Sequence, residues 1–150
     1  MREILFRGKQ KGMMNGVEGT GIFTDGINAW ISANEPNRPI AYGLKHKIVL
    51  PETVGQFTGL TDKNGKKIFE GDVVKAVIIR DLGGGTENRE ETGIIGYDKI
   101  GMIGLIAKYV GTIPVWSDFF QELTLSGCIG DFWFEVIGNI HDNPELLENP

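Results

Sequence analysis

Proton transfer, nucleophilic attack and metal binding need histidine, cysteine or converging carboxylates. This 150-residue chain holds two His and one Cys among its 20 acidic and 15 basic residues. His46 sits between Lys45 and Lys47, a solvated neighbourhood. His141 lies beside Asp142, yet no Gly-x-Ser-x-Gly elbow exists to expose a nucleophile, so a Ser-His-acid triad has no frame. Cys128, in Leu125-Ser126-Gly127-Cys128-Ile129, cannot form an intramolecular disulfide and reads as a buried spectator thiol. One Cys and two separated His supply too few ligands for a structural zinc. Asp62, Glu70 and Asp72 are close in sequence, but carboxylates in turns usually bond their own backbone. The glycines at 83–85 invite a phosphate cradle, and neither a Lys-Ser or Lys-Thr pair nor a helix start follows them. The expectation is a protein without catalytic residues, cofactor or metal.

Recognition is the better use of this composition. Trp30, Trp116 and Trp133 can anchor a protein partner or stack a base. Trp133 lies between Phe132 and Phe134, and strand residues alternate between faces. Either the tryptophan or the two phenylalanines therefore point away from the core, unless the strand is covered on both sides. The candidate interaction surface is Trp133, Phe132 and Phe134, with Lys66, Lys67 and Arg7 as its charged members. The formal charge of −5 disfavours nonspecific contact with phosphate backbones. Its distribution is uneven. Residues 1–12 carry Arg2, Arg7, Lys9 and Lys11 against Glu3, whereas residues 131–150 carry Asp131, Glu135, Asp142, Glu145 and Glu148 with no Lys or Arg. Protein, the chain itself or a host protein, is the expected partner, with a homo-oligomer as one form of this. Nucleic acid held by Arg2, Arg7, Lys9, Lys11, Lys66 and Lys67 is the alternative.

The elements that must position these residues are short strands. With 22 glycines and apolar residues in short runs, the chain shows no long amphipathic helix. Strands are expected at 3–7, 20–24, 29–32, 47–50, 56–60, 66–70, 73–80, 92–97, 103–109 and 132–140, with 119–125 either strand or a helical turn. Asp25-Gly26 and Asn64-Gly65 supply hairpin turns. Residues 34–39, with two prolines, and the polar Gly-rich stretch 83–91 read as loops, the second a mobile one. The continuous apolar run at 73–80 predicts burial on both faces. Asn143-Pro144-Glu145 is a helix-start signature for a short C-terminal helical turn. The expected core comprises Phe57, Leu60, Ile68, Phe69, Val73, Val77, Ile79, Ile95, Phe134, Val136 and Ile137. Short strands with frequent turns predict a mainly β chain, a small barrel or sandwich.

Three stretches together resemble the YopX family of phage and prophage proteins: the opening MREILFR at 1–7, the block TVGQFTGLTDKNGKKIFEGDVV at 53–74, and the ending FEVIGNIHDNPELL at 134–147. Their order and spacing span nearly the whole chain. The resemblance implies a phage or prophage origin and an SH3-like barrel at the centre of a mainly β fold. It carries over no catalytic residues. The expected layout is an N-terminal β segment at 1–52 packed on the barrel, an SH3-like core at 53–140, and a helical turn and tail at 141–150. The segments 12–37 and 83–91 look particular to this chain.

No apolar run approaches the roughly 18–20 residues that span a bilayer. The start reaches Arg7 after three apolar residues, unlike a signal peptide. The expectation is a non-membrane accessory protein of the bacterial cytoplasm that binds protein rather than transforming a substrate.

Overall fold

The computed structural model describes residues 3–13, 15–33, 45–81, 86–97, 103–107, 111–114 and 132–147. Among these, the strands are β1 (Phe6–Lys9), β2 (Gly16–Gly19), β3 (Gly21–Thr24), β4 (Ala29–Ala33), β5 (Lys45–Val49), β6 (Gly55–Thr61), β7 (Lys67–Phe69), β8 (Asp72–Asp81), β9 (Thr86–Tyr97), β10 (Ile103–Ala107), β11 (Gly111–Pro114) and β12 (Phe132–Asn139). Single 3-10 turns occur at Pro51–Thr53 and Pro144–Leu147, the second at the expected C-terminal helical turn. The chain divides into two compact units, Met1–Gly59 and Leu60–Pro150, and passes from one to the other within β6.

In the N-terminal unit β1 lies between β2 and β6, and β4 lies between β3 and β5. The β3–β4 hairpin forms because Asp25 organises its own turn. The carboxylate accepts the amides of Ile27 at 2.9 Å and Asn28 at 2.7 Å, while Gly26 adopts φ 91°. These bonds, that to Asn28 first, hold the Asp25 carboxyl below the ordinary 3.8. The 3-10 turn Pro51–Thr53 is pinned by Thr53, whose hydroxyl accepts the Lys9 amide at 2.8 Å and donates to the Leu50 carbonyl at 2.7 Å. Ala29, Ile31 and Val49 form the buried cluster, with Phe6, Val17 and Val54 packed against it.

In the C-terminal unit the strand order is β11-β10-β9-β8-β12, and β7 pairs with the end of β6. Directly paired residues share a face. Val74 and Ala76 of β8 therefore lie in rows with Val136 and Phe134 of β12, and the neighbouring row brings in Ile95 of β9. Val73, Val74, Ala76 and Val77 are all buried, so β8 is covered on both faces as its apolar run predicted.

The expected mainly β class holds. The described strands fall into three antiparallel sheets and do not close into the SH3-like barrel that the resemblance implies. The hairpin expected from 92–97 and 103–109 is present as β9 and β10. Two elements differ from expectation. The loop foreseen at 83–91 is strand from Thr86 onward, because the long β8 offers backbone partners as far as Asp81, paired with Thr86. That ladder overrides a side-chain sequence with no apolar residue between Glu87 and Glu91. Strand β2 was not foreseen, since Val17 is the one apolar side chain in Gly16-Val17-Glu18-Gly19. Phe57, Ile68, Phe69, Val73, Val77, Ile95 and Phe134 are buried as expected, whereas Leu60 and Val136 are only partly so. Ile137 is 39% exposed because a bulge between Val136 and Gly138 leaves it without a cross-strand partner. Cys128, Trp116, the element at 119–125, the loop at 34–39 and the side chains of Ile79 and Phe132 lie outside the described residues.

Candidate functional site

The N-terminal unit presents an apolar row on the outer face of its β3–β4–β5 sheet. Residues alternate along β4, so Ile31 enters the buried cluster and Trp30 points the other way. Phe23 on β3 and Ile48 on β5 both pair with Trp30, which puts the three side chains in one line across the sheet. Phe23 is 63% exposed and Ile48 38%, with Trp30 half-buried between them. The Phe23 and Trp30 rings lie 5.5 Å apart at 43°. At the turn joining β3 to β4, Ile27 is 83% exposed. Along β5 the same face continues with His46, whereas Lys47 and Lys45 pair with Ile31 and Ala33 and take the opposite face; the Lys11 amide bonds the Ile48 carbonyl at 3.1 Å.

The next row pairs Ser32 with His46, and the Ser32 hydroxyl stands 3.1 Å from His46 Nδ1. Among the described residues no carboxylate bonds the ring, so nothing orients the imidazole as a base. The pair's demonstrable part is to tie β4 to β5. Among the described residues, no three of His, Cys, Asp and Glu converge into a metal site.

Sequence analysis placed its candidate surface elsewhere, and the structure divides it. Arg7 belongs to β1 of the N-terminal unit, whereas Lys66, Lys67, Trp133 and Phe134 belong to the C-terminal one. Phe134 is 6% exposed, an interior residue of its sheet and not a surface contact. Phe132 lies in β12 opposite Ile78, its side chain outside the described set. Trp133 takes the face opposite Phe134 and is already engaged. The Lys63 ammonium sits 4.0 Å from the ring centroid and bonds Glu135 at 2.7 Å. On the same face, Lys75 and Glu90 form a second ion pair at 2.7 Å. Lys66 is exposed in the β6–β7 turn, and Lys67 is half-buried and bonded within the chain.

Asp62 explains why the central and closing blocks occur together. One carboxylate oxygen accepts the amides of Asn64 at 2.8 Å and Lys66 at 2.9 Å, closing the β6–β7 turn. The other accepts the Val136 amide on β12 at 3.1 Å. The next residue, Lys63, donates its amide to the Phe134 carbonyl at 2.9 Å. A second joint lies at Gly71, which adopts φ 81°, donates to the Ile95 carbonyl at 2.7 Å and accepts the Ile140 amide at 2.9 Å. Beside it, Asp72 is buried and accepts the Phe69 amide at 2.8 Å. Both acids organise backbone.

Burial alone would raise the Asp62 carboxyl, but the amides of Lys66, Val136 and Asn64 and the Lys66 charge outweigh it and hold it below 3.8. A lowered folded value means stability that is whole above 3.8 and is lost as pH falls through the folded value. Urea unfolding at stepped pH is therefore expected to show a decline below pH 4 that is shallower in Asp62→Asn, which has no carboxyl to titrate there. Parallel declines in the two proteins would count against this role.

The exposed row is what sequence analysis missed, although a signal was present. Ile22-Phe23, Trp30-Ile31 and Ile48-Val49 each place apolar side chains on both faces of a strand. Three such strands paired together bury one face and leave the other apolar.

No curated protein is significantly similar to the chain. A family model described as YopX protein matches residues 5–148. That match takes in the Asp62 and Gly71 joints and the strands they connect. The chain belongs to the YopX family.

Proposed function

We propose that the chain is a non-enzymatic accessory protein of a phage or prophage, working in the bacterial cytoplasm by binding protein through the β3–β4–β5 face. The observation that carries this reading is the Phe23–Trp30–Ile48 row with Ile27 at its edge. Large aromatic and aliphatic side chains held rigidly on a sheet lose little entropy on docking, and a buried aromatic anchor is the usual centre of a protein interface. The same face has a second reading. The tilted Phe23–Trp30 pair, with His46 on the same face, offers aromatic surface of the kind that takes bases of single-stranded nucleic acid. The isoleucines at 48 and 27 favour protein, since they add apolar area without a stacking plane.

The test compares wild type with Phe23→Glu, a change at an exposed position. Wild-type protein immobilised in lysate of the source cells is expected to retain a partner, another copy of the chain included, that the variant loses. Equal capture by both proteins would remove this face from the proposal. Short DNA and RNA oligonucleotides at low salt provide the other arm, and a mass shift that Phe23→Glu abolishes would replace protein with nucleic acid as the ligand.

A further inference from the structure

Strand β3 closes one side of its sheet and is apolar and exposed on both faces. Phe23 takes the outer face and is 63% exposed. Ile22 pairs with Ile31 and shares its face, yet Ile31 is fully buried and Ile22 is 41% exposed. Among the described residues no strand lies beyond β3 to cover it. The backbone is open there as well. The Asp25 amide bonds the Asn28 carbonyl at 3.3 Å, so the Asp25 backbone groups turn toward β4. Such groups alternate along a strand, so those of Phe23 also face β4, and the amides and carbonyls of Ile22 and Thr24 face outward. Among the described residues these outward groups have no backbone partner. The other side of the same sheet is treated differently. The Ile48 carbonyl on β5 accepts the Lys11 amide at 3.1 Å, and the Leu50 amide reaches the Lys9 carbonyl at 2.9 Å. Open edges are ordinarily blunted by charge, proline or a bulge. Gly21-Ile22-Phe23-Thr24 has no charge and no proline, and it pairs with β4 in unbroken register.

We infer that the partner of this edge is β3 of a second copy of the chain, paired antiparallel about a twofold axis at Phe23. This inference rests on the protein-binding reading above and supplies its partner. With Phe23 opposite Phe23, Ile22 of each copy stands opposite Thr24 of the other, and their outward amides and carbonyls exchange bonds. The strand thus satisfies its own free edge within its own length. The two Phe23 residues form the closely spaced kind of pair, with Cα atoms about 4.5 Å apart. The row Ile48–Trp30–Phe23 then continues into the same row of the second copy, in reverse order. An uncharged strand meets itself without facing like charges, and Asp25 falls opposite Gly21. A side chain docked on the outer face would cover Phe23 alone, whereas an added strand covers Phe23 and Ile22 together. Both copies use the same edge, so the contact is isologous and assembly stops at a dimer. Its strand is four residues long, so the contact falls below the roughly 1,200 Å² at the low end of stable interfaces, and the dimer dissociates on dilution.

Light scattering on size-separated protein and site-directed cross-linking test this together. Wild type is expected to rise from monomer to twice the monomer mass with concentration, to stop there, and to be indifferent to salt. Ile22→Pro is expected to stay monomeric. The Ile22 amide faces outward, so proline there removes no bond within the sheet, and matching circular dichroism and melting temperatures verify the fold. Cross-linking needs no disruptive change. In a Cys128→Ser background, Phe23→Cys is expected to form a disulfide dimer with oxidised glutathione, because closely spaced cross-strand pairs lie within disulfide reach. Ile48→Cys, exposed in the same row but two strands from the axis, is expected to stay monomeric under the same oxidant. A wild type monomeric at every concentration overturns the inference. Assembly past a dimer, a dimer that a folded Ile22→Pro retains, or equal cross-linking of the two cysteine variants does the same. If no dimer forms, lysate capture separates the two failures. Capture that Phe23→Glu abolishes and Ile22→Pro spares keeps the protein-binding reading with a different partner, and capture indifferent to Phe23→Glu ends both.

Discussion

Asp62→Ala is expected to lower the stability of the protein by about 3 kcal/mol, read as a fall of about 1.5 M in the urea midpoint. Three backbone amides share this carboxylate, two in the β6–β7 turn and one on β12, and the residue is buried. Removing an acceptor from a buried donor costs more than the bond was worth, because the donor has already given up water. Charge-assisted bonds of this kind are roughly twice as strong as neutral ones. Asp62→Asn separates the two parts of the effect. Its amide oxygen still serves the Asn64 and Lys66 amides, but its NH2 then faces the Val136 amide, donor against donor. An intermediate loss is expected, about half that of alanine. If Asp62→Ala lowers the stability by less than about 0.5 kcal/mol, the residue is an ordinary surface acid.

In the N-terminal unit Gly19→Ala is expected to be comparably damaging, about 3 kcal/mol, for a steric rather than a polar reason. A methyl group there overlaps the Ser32 carbonyl oxygen and would stand 2.6 Å from the Ser32 carbonyl carbon and 2.7 Å from Ile31 Cγ2. The obstruction is backbone, so no rotamer change relieves it, and β2 has to withdraw from β4. Gly16→Ala in the same strand is the control. Its methyl meets only the Gly8 carbonyl oxygen at 3.9 Å, an ordinary van der Waals contact, and is expected to alter stability by no more than about 0.5 kcal/mol. Thermal unfolding of the pair decides the matter, and equal melting temperatures would show that β2 can shift freely.

Both substitutions fall at positions whose importance has a local component and a distant one, and only the local component can be read from the chain. Thr61-Asp62-Lys63-Asn64-Gly65 announces a turn, because Asn-Gly favours positive φ and a turn carboxylate bonds nearby amides. That the second oxygen of Asp62 reaches Val136, 74 residues away, depends on how β12 pairs with β8. Gly19 carries no signal in the sequence, and its importance shows only where β2 runs close against β4.

The same division holds for the surfaces. Trp133 between two phenylalanines is conspicuous in sequence, yet Lys63, itself paired with Glu135, sits over its ring, and Phe134 belongs to the interior. Ile137 is expected in the core as an apolar residue of its strand, and one bulge turns it outward.

By itself the sequence determined the mainly β class, the hairpin turns at Asp25-Gly26 and Asn64-Gly65, the two-sided burial of β8 and the family. The class, the turns and the burial follow from local propensity and period, which act over a few residues, whereas the family rests on a match over residues 5–148. Tertiary structure alone decided which apolar face of β3, β4 and β5 is buried and which is left exposed, and which strand extends through a polar run. The physical reason is that a strand's two faces are equivalent until pairing partners and packing neighbours arrive from distant parts of the chain. Register then moves whole rows of side chains between core and solvent.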